Sequence, residues 1–185
     1  MRSLSTACIK GSTSCARLLL KDRRALVNEP EDNGHTPLWS AAYWGYLDVI
    51  KWWIASGREM DLGKPGDVGK TNAIGEAKDH GKTEVVTLLE RFKSDAAKTR
   101  HHVRVELGWY DETAAEMFAL VVFVSDELLK IKYTPPSPAA RYFSIARRLP
   151  LELQMILCRL LVGSAKETIP GKESEVAFKE LAKRI

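Results

Sequence analysis

The sequence has no apolar run long enough to cross a bilayer. Its longest, Met117 to Val124, falls well short of the roughly 20 residues a membrane helix needs, and Glu116, Asp126 and Glu127 flank it. No apolar stretch of secretory-signal length follows the first basic residues either. Cysteine is scarce: Cys8, Cys15 and Cys158 are odd in number and widely spread, which argues against a disulfide framework and fits reduced thiols. Charge of one sign is also lacking. The net charge is only +4, and no block of basic residues interleaved with aromatic ones appears, so neither a nucleic acid nor a membrane is an expected partner. A Ser, His and acid constellation, a pair of Cys-x-x-Cys motifs and a dinucleotide glycine fingerprint are all absent. No catalytic or metal-binding residue is therefore assigned, and no cofactor is expected.

Two segments imitate functional motifs. Gly63 to Thr71 looks like a phosphate-binding loop, but five residues separate Gly63 from Gly69 where the motif requires four, and Lys64 stands where the first glycine belongs. No apolar strand precedes it. His101 and His102 are adjacent, so on a helix they point about a hundred degrees apart and cannot easily share a metal. They fit the decoration of a polar helix.

What is present is helical punctuation. In Glu31 to Gly45, Gly34 permits a tight turn, Thr36 can cap a helix, and Pro37 suits the first helical position because its missing donor would have been unpaired there. Ala41 and Ala42 let a neighbouring helix come close, and Gly45 can end the helix in a left-handed conformation. A second helix is expected from about Leu47 to Ser56, with Leu47, Ile50 and Ile54 at helical spacing and Gly57 as its stop. This segment, together with Val49 and Trp53, resembles one complete ankyrin repeat of about 33 residues.

One such hairpin cannot bury its own apolar face, so the pattern should recur. Asp67, Gly69 and Thr71 echo Asp32, Gly34 and Thr36 at a spacing of 35, and Gly81 follows Gly45 by 36. Asn72 replaces the proline, and one extra residue precedes Gly81. Upstream, Ala7, Cys8 and Gly11 lie 34 residues before Ala41, Ala42 and Gly45. The sequence thus opens inside a repeat whose first turn is missing, as a degenerate cap or as part of a longer array. Arg2, Lys10, Arg17 and Lys21 among serines and threonines, with no acidic residue up to Lys21, also suit a mitochondrial transit peptide. The register of Gly11 with Gly45 favours the repeat instead, and cytoplasm or nucleus is the expected compartment.

The expected fold is all-α: a stack of about three helical hairpins over residues 4–92, then a helical region over 93–185 with a proline-rich break at 134–138. Ser94 or Asp95 can cap a helix reaching about Leu107. Asp111 and Glu112 suit the start of a long apolar segment to about Ile131. It reads as a buried helix packed as a cap on the last repeat, although its β-branched and aromatic centre locally favours strand. Leu149, Pro150, Glu152, Leu153 and Leu157 resemble the opening of an F-box, which implies a docking segment for a ubiquitin-ligase adaptor. The tryptophan expected later in that motif is missing, and an ordinary structural helix explains the same residues. A last helix is expected from about Ser174 to Lys183.

The ankyrin resemblance implies that the chain binds another protein through its turn fingers and first helices, without catalysis. By position the candidates are Asp32, Asn33, His35, Trp39, Tyr43 and Trp44. Trp39 and Trp53 fit packing roles as well, whereas Tyr43 and Trp44 match variable surface positions of the family. Replacing those two by alanine is expected to leave the thermal melt nearly unchanged while abolishing partner capture.

Overall fold

The structure is a computed structural model that describes residues 4–31, 34–63, 72–130, 137–166 and 168–183. It divides into two compact units, Met1–Leu107 and Gly108–Ile185. Among the described residues all regular structure is helical, and no helix is long and apolar enough to cross a membrane.

The first unit is built from three antiparallel helix pairs: α1 (Leu4–Ile9) with α2 (Thr13–Lys21), α3 (Pro37–Trp44) with α4 (Leu47–Ser56), and α5 (Ala73–Asp79) with α6 (Thr83–Ser94). The predicted bounds of α3 and α4 match the observed ones. The three inter-helix turns share one geometry. At each, a left-handed glycine, Gly11, Gly45 or Gly81, ends the first helix, and the next residue's amide donates back into that helix. The donors Ser12, Tyr46 and Lys82 reach the carbonyls of Ala7, Ala41 and Ala77 at 2.9, 2.9 and 2.7 Å. The alanines recur at the acceptor position because only a small residue lets neighbouring first helices approach there. Ala7, Ala41 and Ala77 are all buried, α1 packs on α3, and α3 packs on α5.

The third pair departs from the expected register in an informative way. Asn72 is the cap of α5, its side-chain oxygen accepting from the Gly75 amide at 2.9 Å, while Thr36 caps α3 by accepting from Trp39 at 3.2 Å. Cap to cap and glycine to glycine, both separations are 36 residues, so the extra residue precedes the helix rather than lying within it. The imitation phosphate loop falls largely on residues 64–71, outside the described residues.

Second helices are tied to each other through their ends. Arg58, just past α4, donates to the carbonyls of Asp22 and Ala25 beyond α2, at 2.9 and 2.6 Å. The final turn of α4 is served in turn by α7 (Ala96–Glu106), which Asp95 caps by accepting from Lys98 at 2.9 Å. Arg100 donates to the Ile54 carbonyl at 3.2 Å and Arg104 to that of Ala55 at 2.8 Å. Arginine at a helix C-terminus both satisfies orphan carbonyls and opposes the helix dipole. α7 packs against α4 and α6. It lies outside the repeat pattern but inside the first compact unit. His101 and His102 are exposed on it.

The second unit is organised around α8 (Trp109–Ser125), flanked by α9 (Pro138–Ala146), α10 (Leu151–Val162) and α11 (Gly171–Ala182). The apolar segment Met117 to Val124 is helix, as its flanking helix formers implied. It stops at Ser125 rather than near Ile131, because Glu127 takes a left-handed conformation at φ 60°. Ala114, Ala115 and Ala119 are buried where α10 and α11 pack on α8, and Phe178 of α11 meets Phe118 and Phe123 with ring centroids 6.0 and 5.8 Å apart. The last helix begins at Gly171, three residues before the expected start. In the proline-rich break, Pro135 and Pro136 lie outside the described residues, and Pro138 is the first residue of α9, behind the cap Ser137.

The cysteines differ sharply. Cys8 is fully buried, and desolvation, reinforced by the negative charge of Glu31, pushes its thiol up to about 12. Burial likewise raises Cys158, whose sulfur lies 3.2 Å from the Tyr142 hydroxyl. Cys15, by contrast, is exposed on α2. A thiol-specific reagent at pH 8 should therefore label Cys15 alone in the native protein, the thiolate of Cys8 forming only several pH units above that value; labelling of Cys8 without denaturant contradicts the packing. In urea titrations, Gly81→Ala should cost about 1 kcal/mol for its left-handed backbone. Gly11→Ala should cost more, because its new Cβ would sit 2.5 Å from the Tyr46 ring, whereas Gly81 has open space.

Candidate partner-binding surface

α3 carries three aromatic side chains in eight residues, and the structure arranges them with two histidines into one continuous strip. Residues four apart on a helix share a face, so Tyr43 lies one turn beyond Trp39, and His35, just ahead of the Thr36 cap, extends the row backwards. The His35 and Trp39 rings stack with centroids 3.7 Å apart, and Trp39 and Tyr43 stack at 5.4 Å. Trp44 meets the Tyr43 ring edge-on at 4.9 Å. The far end of the strip is supplied by the next hairpin, whose His80 packs against Tyr43 at 4.3 Å.

Of the six residues nominated from the sequence, four are therefore brought together. Asp32 and Asn33 lie outside the described residues; next to them the Gly34 amide donates to the Glu31 carbonyl at 2.8 Å, and the Glu31 amide to that of His35 at 2.9 Å. His35, Trp39 and Tyr43 are half-buried by their mutual stacking. Trp44 is the open member, 52% exposed. The packing role weighed for Trp53 is observed, since its indole is fully buried and its N–H donates to the Glu59 carbonyl at 3.1 Å. Trp52 lies beneath the Arg17 guanidinium, 4.2 Å from the ring centroid, and so joins α4 to α2.

His80 was not nominated, yet a signal for it existed. It stands 36 residues after Trp44, the same interval that separates Gly81 from Gly45, so the repeat register carries it to the edge of the same strip. Its Nδ1 lies 3.4 Å from a Glu76 carboxylate oxygen. On the side of α3 turned towards α1, the Glu31 carboxylate accepts from the Ser40 hydroxyl at 2.8 Å. Both carboxylates are thus engaged within the first unit.

The arrangement offers a continuous stacking surface. Among the described residues no group of three or more His, Cys, Asp or Glu side chains could hold a metal ion. The Trp39 indole N–H is buried without an acceptor among those residues, so ring stacking rather than hydrogen bonding holds it in place.

Because Tyr43 is clasped by three rings and Trp44 by one, their replacements separate. Trp44→Ala should change stability by no more than about 0.5 kcal/mol, whereas Tyr43→Ala should cost about 1–2 kcal/mol through lost ring contacts. Chemical denaturation of the two single variants measures this, and equal losses would contradict the geometry. It also refines the expectation that both changes together leave the melt unmoved.

Residues 2–64 match the family described as ankyrin repeats (3 copies). The match includes α1 to α4 and ends before α5, so the third hairpin is assigned by its geometry and spacing. No solved structure matches the chain.

Proposed function

We propose that this chain, which carries ankyrin repeats over residues 2–64, is a non-catalytic scaffold that binds another protein through the aromatic strip of α3. Ankyrin repeats are protein-interaction modules, and the observation that carries the finer reading is the strip itself. Trp39, Tyr43 and Trp44 are preorganised by stacking before any partner arrives, so little side-chain entropy remains to be lost on binding. Trp and Tyr also dominate the energetics of interfaces because they desolvate large areas with few rotatable bonds. The surface suits a partner segment that brings apolar or cationic side chains, an arginine stacking on the exposed Trp44 being the simplest fit.

The alternative, a substrate receptor that docks a ubiquitin-ligase adaptor through residues 149–161, calls for a helix accessible along that stretch. α10 packs the face bearing Gln154 and Cys158 on α8 and leaves Leu153, Ile156 and Leu160 exposed, so accessibility does not separate the two readings, but the tryptophan expected later in an F-box is missing. The interaction-module reading therefore stands ahead of it.

The test is affinity capture from the native cell followed by mass spectrometry, comparing the intact chain with Trp44→Ala. A partner recovered by the intact chain and lost from the equally stable variant supports the strip as its site. Recovery of the same partners by both would remove Trp44 from the interface and overturn the binding role proposed for the strip.

A further inference from the structure

Among the described residues of the second unit, one apolar helix face is exposed. On α10, Gln154 and Cys158 are buried towards α8, and the opposite side shows Leu153, Ile156 and Leu160 at 47%, 41% and 71% exposure, with Leu161 beside them at 56%. Spacings of three and four residues place Leu153, Ile156 and Leu160 on a single stripe. Together they make an apolar patch of a few hundred Å², about the largest a soluble monomer ordinarily exposes.

We infer that this face docks a second copy of the same chain, the two α10 helices running antiparallel about a two-fold axis. The pattern is self-complementary in that orientation alone. Leu153 and Ile156 occupy the alternating inward positions of a short helix pair, so an antiparallel partner sets Leu153 against Ile156 of the second copy, twice. Glu152 and the half-buried Arg159 flank the stripe on one side, seven residues apart. In an antiparallel pair like flanks face one another, which brings Glu152 opposite Arg159 of the second copy, again twice. A parallel pair would instead set each of these charges in register with its own copy.

The ends agree as well. Arg147 and Arg148, both exposed in the turn before α10, would meet the C-terminal turn of the opposing helix, where free carbonyls and the negative end of the helix dipole favour cations. Two such patches with their polar rims bury an area near the lower limit of specific interfaces, about 1,000 Å² in total. The association is accordingly weak, with a Kd on the order of micromolar.

Sedimentation velocity of the full chain over a concentration series tests this. The intact chain should pass from monomer to dimer, and Leu153→Glu with Ile156→Glu should remain monomeric with an unchanged circular dichroism spectrum, since neither side chain belongs to the buried core around α8. Glu152→Arg and Arg159→Glu should each weaken self-association about tenfold or more by placing like charges opposite one another twice. Mixing those two variants should restore the dimer, because every flanking pair in the mixed species is then complementary. An intact chain that stays monomeric throughout, including one that instead retains a different protein on this face, overturns the inference. So does a dimer that survives the Leu153 and Ile156 changes, and a mixture no more associated than its components overturns the antiparallel register.

Discussion

A hairpin of two helices six to twelve residues long cannot enclose its own apolar side, and everything in the first unit follows from that constraint. Each hairpin must present a flat flank to the next, so the first helices carry alanine where they touch and the turns must be superimposable. The shared bond from the residue after glycine back to an alanine carbonyl meets both requirements. It fixes the angle between paired helices and holds the small residue at the contact. Stability in such a stack is a sum of weak units and the interfaces between them, so no hairpin is separable from its neighbours.

That same constraint explains what could be read from the sequence. Glycine at 11, 45 and 81 and alanine at 7, 41 and 77 are required by backbone geometry, which leaves few alternatives, and they located the helices of the central hairpin to the residue. The cap of α5 was less legible because Asn72 can serve either as a cap or as a poor substitute for the helix-starting proline, and only the structure decides. The end of α8 was obscured for another reason. Glu127, Leu128 and Leu129 are good helix formers, and a left-handed turn at Glu127 overrides their propensity.

The candidate surface was half legible. Aromatics on a short helix could be counted, and their four-residue spacing implied a common face, but stacking between residues of successive hairpins depends on register. His80 enters the strip only once the interval of 36 residues is applied to Trp44. Exposure of Cys15 could not be read from the hairpin pattern, since it turns on which side of α2 faces α4. Exposure along α10 is a similar case: its leucines fit a buried helix equally well until the position of α8 shows which of its sides is occupied.

The carbonyls at the end of α4 are met by Arg100 and Arg104, 46 and 49 residues further along the chain. A ribosome delivers residues in order, so when the central hairpin first emerges these two donors have not been made. At roughly 5–20 residues per second, several seconds separate the end of α4 from the side chains that complete it. During that interval the hairpin must depend on its glycine turns and on the pair synthesised before it, and the first unit reaches its final form only as α7 leaves the exit tunnel.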